Sequence, residues 1–286
     1  MSTQLAYVSQ KTKGLIASDG AGVRLTRIIG NQELNFLDPF LMLDYFESTD
    51  PNDYIGGFPS HPHRGFETVS YLLAGKMRHH DNHGHEGVIE PGGVQWMTAG
   101  KGIVHSEMPE QENGLLQGFQ LWVNLPQKAK MVNANYQEFS PTKIPIEIRD
   151  EHTQLKVITG QTSMGTIGPV INKYIQPKMI HGILHKIHSD FIEPVDPKAN
   201  SFIYVIKGSV TVNSQHESRL NTVNAKELAV LTPAEQIHIT ALENMSEFLF
   251  LSAHPINEPI ARGGPFVMNT QQEIEQAFSD YRNGLF

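Results

Sequence analysis

The sequence predicts an all-β fold of two antiparallel β-barrels with one short helix near the C-terminus, and three observations predict it. Apolar segments of strand length recur between Gly, Pro, Asn and Asp punctuation. Two of them, FETVSYLLAG and FIYVIKGSVTVN, look like counterparts. Each reaches a glycine (Gly75, Gly208), and each is followed by a second strand and a proline turn (Pro91, Pro233), at offsets of 133 and 142 residues. The clear helical repeat is near the end, where Ile274, Ala277, Phe278 and Tyr281 recur at helical spacing.

Taken in order, DGAGV leads into the strand pattern VRLTRII instead of opening a helix, so it reads as a turn and not as a phosphate loop. After FETVSYLLAG come GVIEPGG and LQGFQLWVNL, and alternation is lost at QEFSPTKIP, which divides the chain into domains 1–138 and 139–286. The second half continues with LKVITG, FIYVIKGSVTVN, LAVLTP, IHITAL and EFLFLSAHP. NEPIARGGPFVMN carries too much Gly and Pro for a strand interior and is expected to cross the surface between domains. Thr270 and Glu273 then form a capping-box pattern and Gly284 can stop the helix, whose apolar stripe should pack on the barrels.

Composition sets bounds. The 286 residues suit about two domains at ~150 residues each, and 18% charged residues, against a usual ~25%, mark a globular, turn-rich chain. With 22 basic and 30 acidic residues and a net charge of −8, no basic stripe favours nucleic acid or an anionic membrane. The absence of cysteine excludes disulfides, thiolate zinc sites, iron–sulfur clusters and thiol nucleophiles. Neither a signal peptide nor a run of ~18 apolar residues is visible, so a cytoplasmic protein is expected, or a nuclear one in a eukaryote.

Histidine is unusual: seven of 14 lie between His61 and His105. In an extended chain residues i and i+2 share a face, so His61 and His63 point together, and the same parity adds Glu67, Val69, Tyr71 and Leu73. His105 and Glu107 form a second such pair. An isolated H-x-H is more often ordinary surface or core. Two adjacent strands carrying these pairs, however, present three imidazoles and a carboxylate to one ion at ~2.0–2.2 Å, with one or two positions left open. In RHHDNHGHEG an Asp-Asn turn explains His80, His83 and His85 as a solvated hairpin tip, with a fortuitous nickel or zinc site as the other reading. The second half has DPKANS where the first has H-P-H, and His185 and His188 are three apart. Its barrel is therefore expected to be metal-free, with Phe202, Tyr204, Ile206, Val210 and Val212 in its interior or walls.

The runs GGFPSHPHRGFETVSYLLAGKMRHHD, EPGGVQWMTAGKGIVHSEMP, LQGFQLWVNLP and NEPIARGGPFVMNTQQEIEQAFSDYRNG resemble the pirin family over essentially the whole chain. The resemblance implies a bicupin, two cupin β-barrels facing each other. It implies one transition-metal ion in the N-terminal barrel, iron first, with nickel, zinc, manganese or copper as substitutes, held at His61, His63, His105 and Glu107. Ordinary cupins place the last His close after the P-x-G turn, where Trp96 stands here. Many place their Glu four beyond the second His, at Glu67, which is expected beside the ligands or in the barrel wall.

Two functions follow from the resemblance. Some pirins resemble quercetin 2,3-dioxygenases in activity, opening a flavonol with dioxygen and releasing carbon monoxide. Others act through protein partners, as a redox-sensitive nuclear transcription cofactor or a bacterial regulator of central metabolism. The enzyme reading takes a flavonol-like molecule and dioxygen as partners. It makes Glu107 the catalytic proton acceptor, with Phe58, Trp96 and Met97 as cavity wall or core packing. The binding reading needs only a barrel stabilised by its metal.

Overall fold

In the computed structural model, which describes residues 3–215 and 219–286, the strand-length segments pair antiparallel into two sheets in each half of the chain. The first half has a seven-stranded sheet, ordered Asn135–Phe139, Val94–Thr98, Phe66–Ala74, Leu116–Asn124, Phe40–Ser48, Val23–Ile29, Leu15–Asp19. Its four-stranded sheet runs Phe58–His63, Ile103–Pro109, Met77–Asp81, Glu86–Ile89. Leu25, Phe46, Leu72 and Leu116 of the first sheet meet Met77 and Ile89 of the second, so the two enclose one interior. DGAGV spans the turn that joins Leu15–Asp19 to Val23–Ile29.

The second half repeats this order, with Asn200–Lys207 between Leu228–Leu231 and Ser246–Ala253 as Phe66–Ala74 lies between Val94–Thr98 and Leu116–Asn124. Gly75 and Gly208, which flag the repeat in the sequence, both hold positive φ (+77° and +73°), a conformation that strains any residue with a Cβ. The result is two cupin-type β-barrels.

The ends of the chain are exchanged relative to the boundaries expected from the sequence. One compact unit comprises Leu15–Thr142 with Ile256–Phe286, the other Lys143–Pro255 with the residues through Gly14. Val8–Thr12 pairs with Leu228–Leu231, filling in the second barrel the place that Asn135–Phe139 fills in the first. Such pairing of sequence-distant strands leaves no local pattern to read.

NEPIARGGPFVMN departs from its expected surface crossing. It forms a short hairpin, Ala261–Gly263 with Phe266–Met268, because Gly264 (φ +54°) and Pro265 supply its turn. The helix follows at Gln271–Arg282 with the capping box in place, the Thr270 hydroxyl accepting from the Glu273 N–H. Its buried Ile274 and Ala277 pack on Phe266 and Met268, within the first unit.

The two interiors differ in chemistry. In the second barrel Val210, Val212, Ile203, Val205, Phe191, Phe248 and Phe250 belong to one apolar cluster drawn from both sheets. Phe202, Tyr204 and Ile206 are buried in the barrel wall, as expected, while Ile203 and Val205 of the same strand belong to that apolar cluster. The first barrel buries Asp44, Ser70, His79, Asp81, Gln95, His105 and Glu107. Buried polar groups carry a desolvation cost that packing alone does not require.

Candidate metal centre

Phe58–His63 and Ile103–Pro109 are antiparallel neighbours, with His105 opposite His61 and Ile103 opposite His63. Between His105 and Glu107 the register slips, so that Glu107 faces Phe58. Pro59 has no N–H to give to the ladder and sits at this bulge. Its carbonyl oxygen accepts from His61 Nδ1 at 2.8 Å, and the Pro265 carbonyl lies 3.5 Å from His63 Nδ1. Protons held on the two Nδ1 atoms leave both Nε2 atoms as lone pairs, and these face each other at 3.0 Å.

His105 is buried, and neither of its ring nitrogens has a hydrogen-bond partner among the described residues. Its ring centroid lies 4.5 Å from that of His61 and 5.1 Å from that of His63. One nitrogen from each of His61, His63 and His105 falls within 4.8 Å of the others. Burial, and then the neighbouring imidazoles, push His63 and His105 well below the usual histidine range. Both are thus neutral, the form that binds a metal. Converging lone pairs without protein donors fit a transition-metal ion.

Glu107 is not one of that trio of mutually close donors, but it lines the same cavity. Its carboxylate accepts from the Ser70 hydroxyl (2.7 Å) and from Gln120 Nε2 (2.9 Å), while Ser70 Oγ also stands 2.6 Å from Gln120 Oε1. Glu67, Val69, Tyr71 and Leu73 do not share the face of His61 and His63. Gly65 (φ +88°) interrupts the strand, and after it the even residues Ser70 and Leu72 point inward. Glu67 is buried elsewhere and accepts from the Thr98 hydroxyl at 2.7 Å.

The cavity has a volume of ≈ 460 Å³. Of the three residues expected as cavity wall or core packing, Phe58 lines the cavity, while Trp96 and Met97 are buried as core packing outside its lining. Trp122 takes the aromatic wall, with the Arg262 guanidinium 4.9 Å from its ring centroid. Arg27 spans Asp44 with two hydrogen bonds (2.9 and 2.8 Å), so the adjoining charge is paired. Arg262 and Pro265 come from the returning C-terminal hairpin, which no local signal connects with the histidines. Ser70, Gln120 and Trp122 do carry a signal: a polar or aromatic residue at inward parity in an apolar strand. His80, His83 and His85 are exposed at the hairpin tip, where the Asp81 carboxylate accepts from the His83 and His85 N–H groups.

Residues 22–123 match the pirin family and residues 185–286 the pirin C-terminal cupin domain. A pirin-like protein of Caulobacter vibrioides is 48% identical over 274 residues, 96% of each chain. A Pseudomonas aeruginosa protein named "putative quercetin 2,3-dioxygenase" is 45% identical over 287 residues, 99% of each chain. A crystal structure of quercetin 2,3-dioxygenase from Acinetobacter baumannii superposes with a TM-score of 0.85 at 34% identity, covering 98% of this chain and 96% of that one.

Proposed function

The chain belongs to the pirin family, and on that premise we propose that it is a metal-dependent quercetin 2,3-dioxygenase with His61, His63, His105 and Glu107 as ligands of a single ion, iron first. The observation that carries this reading is the convergence of three imidazoles, of which His61 and His63 line a cavity with aromatic walls and the buried His105 has no hydrogen-bond partner among the described residues. Its size lies within the ~300–1,000 Å³ range of small-molecule sites. When bound, the metal supplies Lewis acidity toward the flavonol 3-oxygen and a path for electrons to dioxygen.

The chain's own part is to bind, orient and move a proton. Trp122 and Phe58 line the cavity and offer aromatic contact to a flavonol ring. Glu107 receives the 3-hydroxyl proton at a carboxylate oxygen, leaving the flavonol as the electron-rich anion. Ser70 and Gln120 hold that carboxylate in one orientation through the contacts they make with it.

The test is metal analysis of the purified protein followed by oxygen uptake with quercetin. Iron-loaded protein should consume oxygen only when quercetin is present and should release carbon monoxide. Absence of uptake would reject the enzyme reading in favour of an interaction module, whose mark would be a pull-down that differs between ferrous and ferric protein.

A further inference from the structure

We propose that His79, His85 and Glu138 form a second divalent-metal site, suited to a borderline ion such as Zn(II) or Ni(II). A solvated turn explains His80 and His83 but not His79, which points inward with Met77 and Asp81 and is fully buried. His85 comes from the turn before Glu86–Ile89, and Glu138 from the edge strand Asn135–Phe139 of the other sheet. One donor atom from each falls within 4.8 Å of the others. Glu138 Oε2 is 2.6 Å from His79 Nε2 and 3.9 Å from His85 Nε2.

Two further observations point to an ion and not merely a hydrogen-bonded pair. A Cβ on Gly87 would lie 2.5 Å from His79 Nε2 and 2.9 Å from both Glu138 carboxylate oxygens, so the glycine keeps the donor cluster uncovered. The His79–Glu138 pair alone has no need of His85, yet the His85 ring lies 5.2 Å from that of His79 and 4.4 Å from that of Tyr136. Two imidazoles and one carboxylate with water in the remaining position make a familiar zinc donor set. An ion there would clip the histidine hairpin to the facing sheet.

The experiment adds zinc chloride to the full chain already holding its first metal, then counts total bound metal per chain after gel filtration. Wild type should reach two equivalents. His85→Ala, a change at an exposed side chain, should stop at one, and the His80→Ala/His83→Ala double variant should still reach two. One equivalent in wild type would overturn the site, as would two in His85→Ala, or loss of the second equivalent in the tip variant. None of these outcomes depends on whether quercetin is a substrate.

Discussion

Replacing Glu107 by glutamine separates the proton-accepting role from the structural one. In the wild type, one Ser70 hydroxyl proton is shared between two acceptors, Glu107 Oε1 at 2.7 Å and Gln120 Oε1 at 2.6 Å. A glutamine amide at this position brings two N–H donors and keeps one acceptor, which lets Ser70 and Gln120 re-pair without a buried vacancy. Glu107→Gln should therefore change stability by less than about 1 kcal/mol. It cannot take the flavonol proton. Losing a general base costs on the order of 100-fold or more in turnover, equivalent to about 2.7 kcal/mol in the barrier. The assay couples oxygen uptake with quercetin to metal content and thermal unfolding of the same preparation. A metal-replete, normally folded Glu107→Gln protein with wild-type turnover would refute the role assigned to Glu107.

Combined His61→Ala and His105→Ala substitution should remove one metal equivalent per chain relative to wild type by elemental analysis; an unchanged metal content would remove these residues as ligands. Lys130, buried in the first unit, donates to the Gly65 carbonyl (2.8 Å), Asn124 Oδ1 (2.7 Å) and the Val267 carbonyl (3.0 Å). Lys130→Met strands these acceptors and should lower urea-unfolding stability by about 2–4 kcal/mol. The Arg64 guanidinium donates to Asp280 at 2.7 Å and holds that carboxyl below its usual range. Asp280→Asn should cost about 2 kcal/mol at neutral pH. Because the folded-state value is the lower one, this contribution is complete above the unfolded carboxyl value of ~4 and is lost as pH falls through the folded value. Wild type and Asp280→Asn should therefore converge in acid, and an undiminished gap at pH ~2 would contradict the pairing.

Alternation and punctuation were enough to expose the β class, because a half-buried strand writes its period directly into the order of residues. VRLTRII is a strand over its whole length, and the Thr270–Glu273 capping box stands where the spacing puts it. The parity rule worked within a strand and failed across Gly65, where one positive-φ residue re-aims everything after it. In the second barrel it carries no sign, because both faces of Asn200–Lys207 are apolar and buried.

The pairs His61/His63 and His105/Glu107 are local, so the sequence by itself determined which strands bear the candidate ligands. Only the tertiary structure decided that Val8–Thr12 completes the far barrel, that Arg262 and Pro265 return to line the histidine cavity, and that Glu138 meets His79 across 59 residues. The physical reason is range. Periodicity and capping are set by neighbours a few residues apart, whereas a cavity is closed by backbone edges and side chains that the fold alone brings together.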